Sequence, residues 1–120
     1  MTDCKNSMTW IKYMKKDAWK EECKKYIKER GYIIRPNESV YIHDIMHIRY
    51  ELIDFRYKED TIILYDIRID DNEIISGGAR AYITDYNTFK EEINKIIKKY
   101  KELQIKLKRK EIERDFENDT

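Results

Sequence analysis

The chain has 120 residues, with 25 Lys and Arg against 24 Asp and Glu and a formal net charge of +1. Near-neutrality argues against two kinds of nucleic-acid function for the whole chain: a free-standing sequence-independent binder carries a basic excess, and a nucleic-acid mimic an acidic one. Charged residues make up 41% and hydrophobic residues another 41%. Because the apolar ones fall in periodic runs, the chain reads as one domain with a modest core and not as a disordered segment.

Residues 1–7 are polar and expected to fray. From about residue 9 to 30, Trp10, Ile11, Met14, Ala18, Trp19, Cys23, Tyr26 and Ile27 recur at steps of three and four, which predicts an amphipathic helix. Asp17 can cap a second piece after a kink near Lys16. Gly31 suits the C′ position, where φ turns positive. Tyr32 to Ile34 is extended, and Arg35-Pro36-Asn37-Glu38 reads as a turn.

Residues 40–57 read as β. Met46, Ile48, Tyr50 and Leu52 alternate with His47, Arg49 and Glu51, and the apolar phase then moves to Ile53, Phe55 and Tyr57, as across a β-bulge. Residues 58–60 make a turn. Residues 61–69 form the next strand, with Ile63, Tyr65, Ile67 and Ile69 on one face and Ile62, Leu64, Asp66 and Arg68 on the other. A hairpin turn at 70–73 leads to a strand over 74–83, where Ser76-Gly77-Gly78 marks a bulge or a close backbone approach.

A long helix over 88–116 closes the chain. Thr88 and Glu91 match a capping box, with Asp85 a rival start one turn earlier. Phe89, Ile93, Ile96, Tyr100, Leu103 and Leu107 form one stripe. Such a helix is roughly 44 Å long, against about 20 Å for a typical strand. It should therefore overhang its own sheet and need a partner. Glu111, Glu113, Asp115 and Glu117 oppose the helix dipole, so residues from about 112 to 120 are expected to fray when alone.

The expected fold is α+β over residues 1–120: an N-terminal helix, an antiparallel β-meander of three to four strands and a long C-terminal helix. Trp10, Met14, Trp19, Cys23, Ile27, Ile63, Ile67, Phe89, Ile93, Ile96, Tyr100 and Leu103 should supply much of the core. Ile62 and Leu64, left on the second sheet face, suggest burial against another chain.

Chemistry-bearing clusters are few. His43 and His47 could place two imidazoles near one metal, with Asp44 adding an oxygen only if the backbone turns there, the signature of a small metal-dependent enzyme, but a convincing third ligand is missing. Asp66, Asp70, Asp71 and Glu73 lack both nuclease and calcium-loop spacing and read as a solvated turn. No cofactor motif is present. Cys4 and Cys23 are too few for a disulfide scaffold, and no apolar run suits a membrane span or a signal peptide, so a reducing cytoplasmic setting is expected. Abundant Ile, Lys, Asn and Tyr, with one valine (Val40) and few alanines, reflect low-GC coding, as in a low-GC bacterium or its phage.

These features favour a non-enzymatic interaction or inhibitor protein directed at a protein or ribonucleoprotein, such as a host-defence or nucleic-acid-processing complex. Phage-encoded anti-CRISPR proteins are an analogy of class only. Its partner-binding residues would be Tyr57, Tyr65, Tyr82, Ile105, Lys106, Lys108, Arg109, Lys110, Ile112 and Phe116, with tyrosine favoured at interfaces for its large rigid surface. The alternative is a nucleic-acid-binding module using Lys98, Lys99, Lys101, Lys106, Lys108, Arg109 and Lys110. A homodimer through an exposed seam from Ile93 to Leu107 would meet the same need for cover.

Overall fold

The structure, a computed structural model, describes residues 18–118, with side chains described through Arg114. Cys4, Trp10, Ile11, Met14 and the kink expected at Lys16 and Asp17 lie outside the described residues. The architecture is α+β: an N-terminal helix, a four-stranded antiparallel sheet and a long C-terminal helix.

The described part of α1 covers residues 18–29. Its inward side carries Cys23, Tyr26 and Ile27, all buried, while Ala18 is exposed. The helix ends at Gly31, with φ of +86°. The Tyr32 amide donates to the Ile27 carbonyl (3.2 Å) and the Gly31 amide to the Lys28 carbonyl (3.0 Å), the hydrogen-bond pattern of a Schellman cap.

Strands β1 (Ser39–Tyr41), β2 (Glu51–Lys58), β3 (Thr61–Asp70) and β4 (Glu73–Ile83) form a meander in that spatial order. The β3–β4 turn places Asp71 and Asn72 at φ of 50° and 62°, between paired Asp70 and Glu73. Two successive positive-φ residues match the right-handed twist of the flanking strands.

Two expectations about the sheet are corrected. The alternating stretch from Met46 to Leu52 is not one strand: after β1 the chain leaves the sheet and passes through a 3-10 turn, Ile48–Tyr50, before β2 begins. Ile45, Met46 and Ile48 are exposed, Ile48 by 80%. The second correction concerns β3. Ile62 and Leu64 are fully buried in the core, together with Ile67, whereas Ile63 is buried outside the core cluster. Pairing with β4 slips between Leu64 and Tyr65 and again between Tyr65 and Ile67, across the segment holding Gly77 and Gly78. The inward positions thereby change from even to odd along β3, and Ile62 and Leu64 need no second chain to cover them.

Helix α2 spans Tyr86–Asn118, 33 residues, or about 50 Å. Asp85 is its N-cap: its carboxylate accepts from the Thr88 amide and from the Thr88 hydroxyl, both at 2.8 Å. The helix therefore starts at the earlier of the two expected positions. It is described as far as Asn118. Phe89, Ile93 and Ile96 are buried, and Tyr100, Leu103 and Leu107 pack partly buried against the same core. The seam from Ile93 to Leu107 is thus satisfied within the chain and is not the exposed dimer seam expected from sequence. The 11 residues of β4 reach about 36 Å, well beyond a typical strand, so the sheet covers more of α2 than expected.

Both helices lie on one side of the sheet. The Tyr26 hydroxyl donates to Asn94 Oδ1 (2.7 Å), joining α1 to α2, and the Phe55 and Phe89 rings meet at 6.2 Å, joining sheet to helix.

Candidate interaction groove along the C-terminal helix

An α-helix turns about 100° per residue, so the residues of α2 can be placed around its axis. The stripe through Phe89, Ile93, Ile96 and Leu107 faces the sheet. Ile105 and Ile112 fall on the opposite side, and they are 54% and 55% exposed. Lys98, Lys101 and Arg109 share that outward side, and all three are exposed. The side chain of Phe116 lies outside those described.

Beside this stripe an open groove of about 670 Å³ runs between α2 and the β3–β4 turn. Ile74, Tyr100 and Leu107 give it apolar surface, and Lys101, Ile105 and Lys108 line its helix side. His43, Asn72 and Glu73 line the other. A hollow of about 260 Å³ continues it, sharing Asn72, Leu107 and Glu111 and adding Lys110, Glu113 and Arg114.

The connector between β1 and β2, residues 42–50, contributes His43 to the wall opposite α2. It reaches the start of β4 instead of staying beside its own strands. His43 Nε2 lies 2.8 Å from the Ile74 carbonyl, and since a carbonyl only accepts, this nitrogen carries the proton. The Tyr50 hydroxyl donates to Glu73 Oε1 in a short hydrogen bond, and the His43 ring sits edge-on to Tyr50 with centroids 5.1 Å apart. The bond to Glu73 raises the Tyr50 phenol above its ordinary pKa, reinforced by desolvation and by the Glu73 charge. Ser76 Oγ donates to the carbonyls of Arg49 (2.7 Å) and Ile48 (3.0 Å), and Arg49 pairs with Asp70 at 3.1 Å.

Far from the groove mouth, α2 is held by charge. Lys99 (3.0 Å) and Arg80 (3.5 Å) meet the same oxygen of Asp66, and Arg80 also pairs with Glu92 at 3.0 Å. Desolvation alone would raise the Asp66 carboxyl. The hydrogen bonds from Lys99 and the Ile67 amide, with the charges of Lys99 and Arg80, outweigh it and hold the group below its ordinary range. Glu92 is likewise lowered, chiefly by its hydrogen bond from Arg80.

The residues singled out in the sequence fall into separate groups. Ile105 and Lys108 line the groove, Lys110 its extension, while Lys106, Arg109 and Ile112 are exposed around the helix. Tyr57 and Tyr82 meet at 5.7 Å elsewhere, on the sheet side away from the helices, since Ala81 and Ile83 flank Tyr82 and point inward. Tyr65, half-buried, lies near them. The seven basic residues of the nucleic-acid alternative spread over roughly 200° of the helix instead of making one face, and Lys99 is committed to Asp66.

The three residues of the metal alternative are engaged separately. His43 meets Ile74, His47 Nδ1 accepts from the Arg49 amide (3.1 Å), and Asp44 pairs with Arg35. Among the described residues, no three His, Cys, Asp or Glu side chains are grouped to hold a metal ion. Nor, among them, is any helix long and apolar enough to cross a membrane.

Sequence reasoning missed the arrangement of His43, Tyr50 and Glu73. Their partners lie 31 and 23 residues away along the chain, and the only available signal, the alternation around Tyr50, pointed to a strand. Compared with family models, curated proteins and solved structures, the chain matches none.

Proposed function

We propose that this protein is a non-enzymatic interaction module that engages a protein or ribonucleoprotein with the C-terminal half of α2 and the groove beside it. One observation carries the reading: α2 packs an apolar stripe against its own sheet and still presents Ile105 and Ile112, more than half exposed, on its opposite side. A surface helix serving only its own core has one apolar side. The groove adds apolar floor and a basic rim, Lys101 and Lys108, next to that stripe.

The specific form of the proposal is an inhibitor from a phage or other mobile element, acting by occluding a host-defence or nucleic-acid-processing complex. Small size and low-GC composition support it. Nucleic acid is the less favoured partner, because the basic residues do not line one face, Glu102 interrupts them and acids follow from Glu111.

The test compares immobilised wild-type protein with Lys101→Glu/Lys108→Glu in lysate from a low-GC bacterium, with thermal melts run alongside. A macromolecule held by the wild type and lost from an equally stable variant supports the reading. Equal retention by both, or no retention above a surface-scrambled control, refutes it.

A further inference from the structure

We infer that the open face of the sheet, turned away from both helices, is a second docking surface, and that it takes an extended, arginine-bearing segment of a partner protein. This surface is separate from the groove beside α2 and stands or falls without it.

Strand pairing brings six side chains together here. Ile62 and Leu64 point into the core, so Ile63 between them points away from the helices. Residues directly opposite each other in a ladder share a face, and Ile63 stands opposite both Asp54 on β2 and Tyr82 on β4. The Tyr57 ring meets that of Tyr82 at 5.7 Å. Glu51 accepts from the hydroxyl of Ser39 (3.1 Å), which itself lies opposite Asp54. Tyr65 completes the set: its phenol is raised first by desolvation and then by the charges of Glu51, Asp54 and Tyr82. Ile63 is 6% exposed although it points away from the helices, whereas Tyr57 and Tyr82 are 46% and 60% exposed beside it.

The charge next to these rings is negative. Neither Glu51 nor Asp54 has an ion-pair partner among the described residues. Burial raises the Glu51 carboxyl against the hydrogen bond from Ser39, and the charge of Asp54 adds to the rise, so the two carboxylates act on each other. The basic residues that follow on β2 are directed elsewhere: Arg56 turns to Glu38 (3.7 Å), and Lys58 lies over the Tyr57 ring (5.5 Å). Arg68 shares the face but lies toward the β3–β4 turn, opposite Ile75.

A guanidinium suits both parts of this surface. Its planar fork donates to carboxylates, and its face stacks on tyrosine. Asp54 and Tyr82 are two strand spacings apart, about 10 Å. An extended segment projects residues i and i+2 to one side, about 7 Å apart, so two long arginine side chains at that spacing reach the carboxylates and the tyrosines together.

Titration of the isotope-labelled full chain with a peptide of alternating arginine and serine, followed by amide chemical shifts, tests the assignment. A peptide with glutamate in place of arginine is the control. The arginine peptide is expected to move the amides around Glu51, Asp54, Ile63, Tyr65 and Tyr82, and the glutamate peptide to leave them in place. Glu51→Gln/Asp54→Asn and Tyr82→Ala should each weaken binding by about tenfold. Glutamine still accepts from Ser39 and Tyr82 is more than half exposed, so both variants should keep the wild-type spectrum elsewhere. Lys101→Glu/Lys108→Glu, on the other side of the sheet, should not weaken it. No shifts at about 1 mM arginine peptide, shifts confined to α2, or an affinity indifferent to both sheet variants overturns the inference. So does self-association in sedimentation that these variants abolish, which would make a second copy the occupant.

Discussion

Two isoleucines on α2 should behave oppositely when cut back to alanine. Ile96 is 1% exposed against the sheet, whereas Ile112 is 55% exposed. Ile96→Ala removes three buried carbon groups at about 0.8 kcal/mol each, roughly 2.4 kcal/mol, and the cavity left behind raises the loss to about 3–4 kcal/mol. Against a total stability of order 5–15 kcal/mol, this lowers the melting temperature by roughly 10–20 °C. Ile112→Ala should stay within about 0.5 kcal/mol of wild type. Urea denaturation followed by circular dichroism, with thermal melts in parallel, gives both values. Equal losses for the two variants in dilute solution would mean that residue 112 is held by its own domain, and the separation of α2 into an anchored and a presented side would fail.

Three further outcomes follow from local geometry. Asp85→Ala should lower the melting temperature by removing both hydrogen bonds to Thr88, while Glu91→Ala should leave it nearly unchanged; the reverse order would restore the later capping box. Asp66 and Glu92 have folded pKa values depressed by their cationic partners, so their stabilisation is complete above the ordinary carboxylate range, near pH 4, and is lost as pH falls through the lower folded values. Asp66→Asn should therefore weaken the protein at neutral pH and flatten its acid denaturation curve, read by intrinsic fluorescence; an unchanged acid limb would refute that role. Cys23 is fully buried, and burial, reinforced by the charge of Glu22, pushes its thiol up to about 12, so in a Cys4→Ser chain an exposed-thiol reagent at pH 8 should react only on unfolding, and rapid native labelling would contradict the core packing.

Local rules made parts of this fold legible. Gly31 ends α1 because positive φ at C′ depends on the residue itself, and the β3–β4 turn formed where four polar residues separate two apolar runs. The stripe from Phe89 to Leu107 named the buried side of α2 because a helix repeats itself every few residues. Legibility failed where the chain broke its period. Met46 to Leu52 alternates as a strand would, yet it fastens to β4 through Ser76 and Glu73 and to the end of β3 through Asp70, ties that pattern counting along the chain cannot see. The faces of β3 were misread upstream of Asp66 because slips in pairing belong to two strands together. Of the candidate surface, Ile105, Lys108 and Ile112 could be named from sequence; the groove could not, since its far wall comes from His43 and Glu73.

The attachment of residues 42–50 to the first residues of β4 dictates an order of assembly. The connector leaves β1, at one margin of the sheet, and is fastened at the other margin. Its anchor points exist only once the β3–β4 hairpin has closed. That hairpin joins adjacent segments across a two-residue turn, so its closure entropy is small, whereas the connector spans more than twenty residues to reach Glu73 and Ile74. The hairpin is accordingly expected to close before Tyr50 and His43 find their partners.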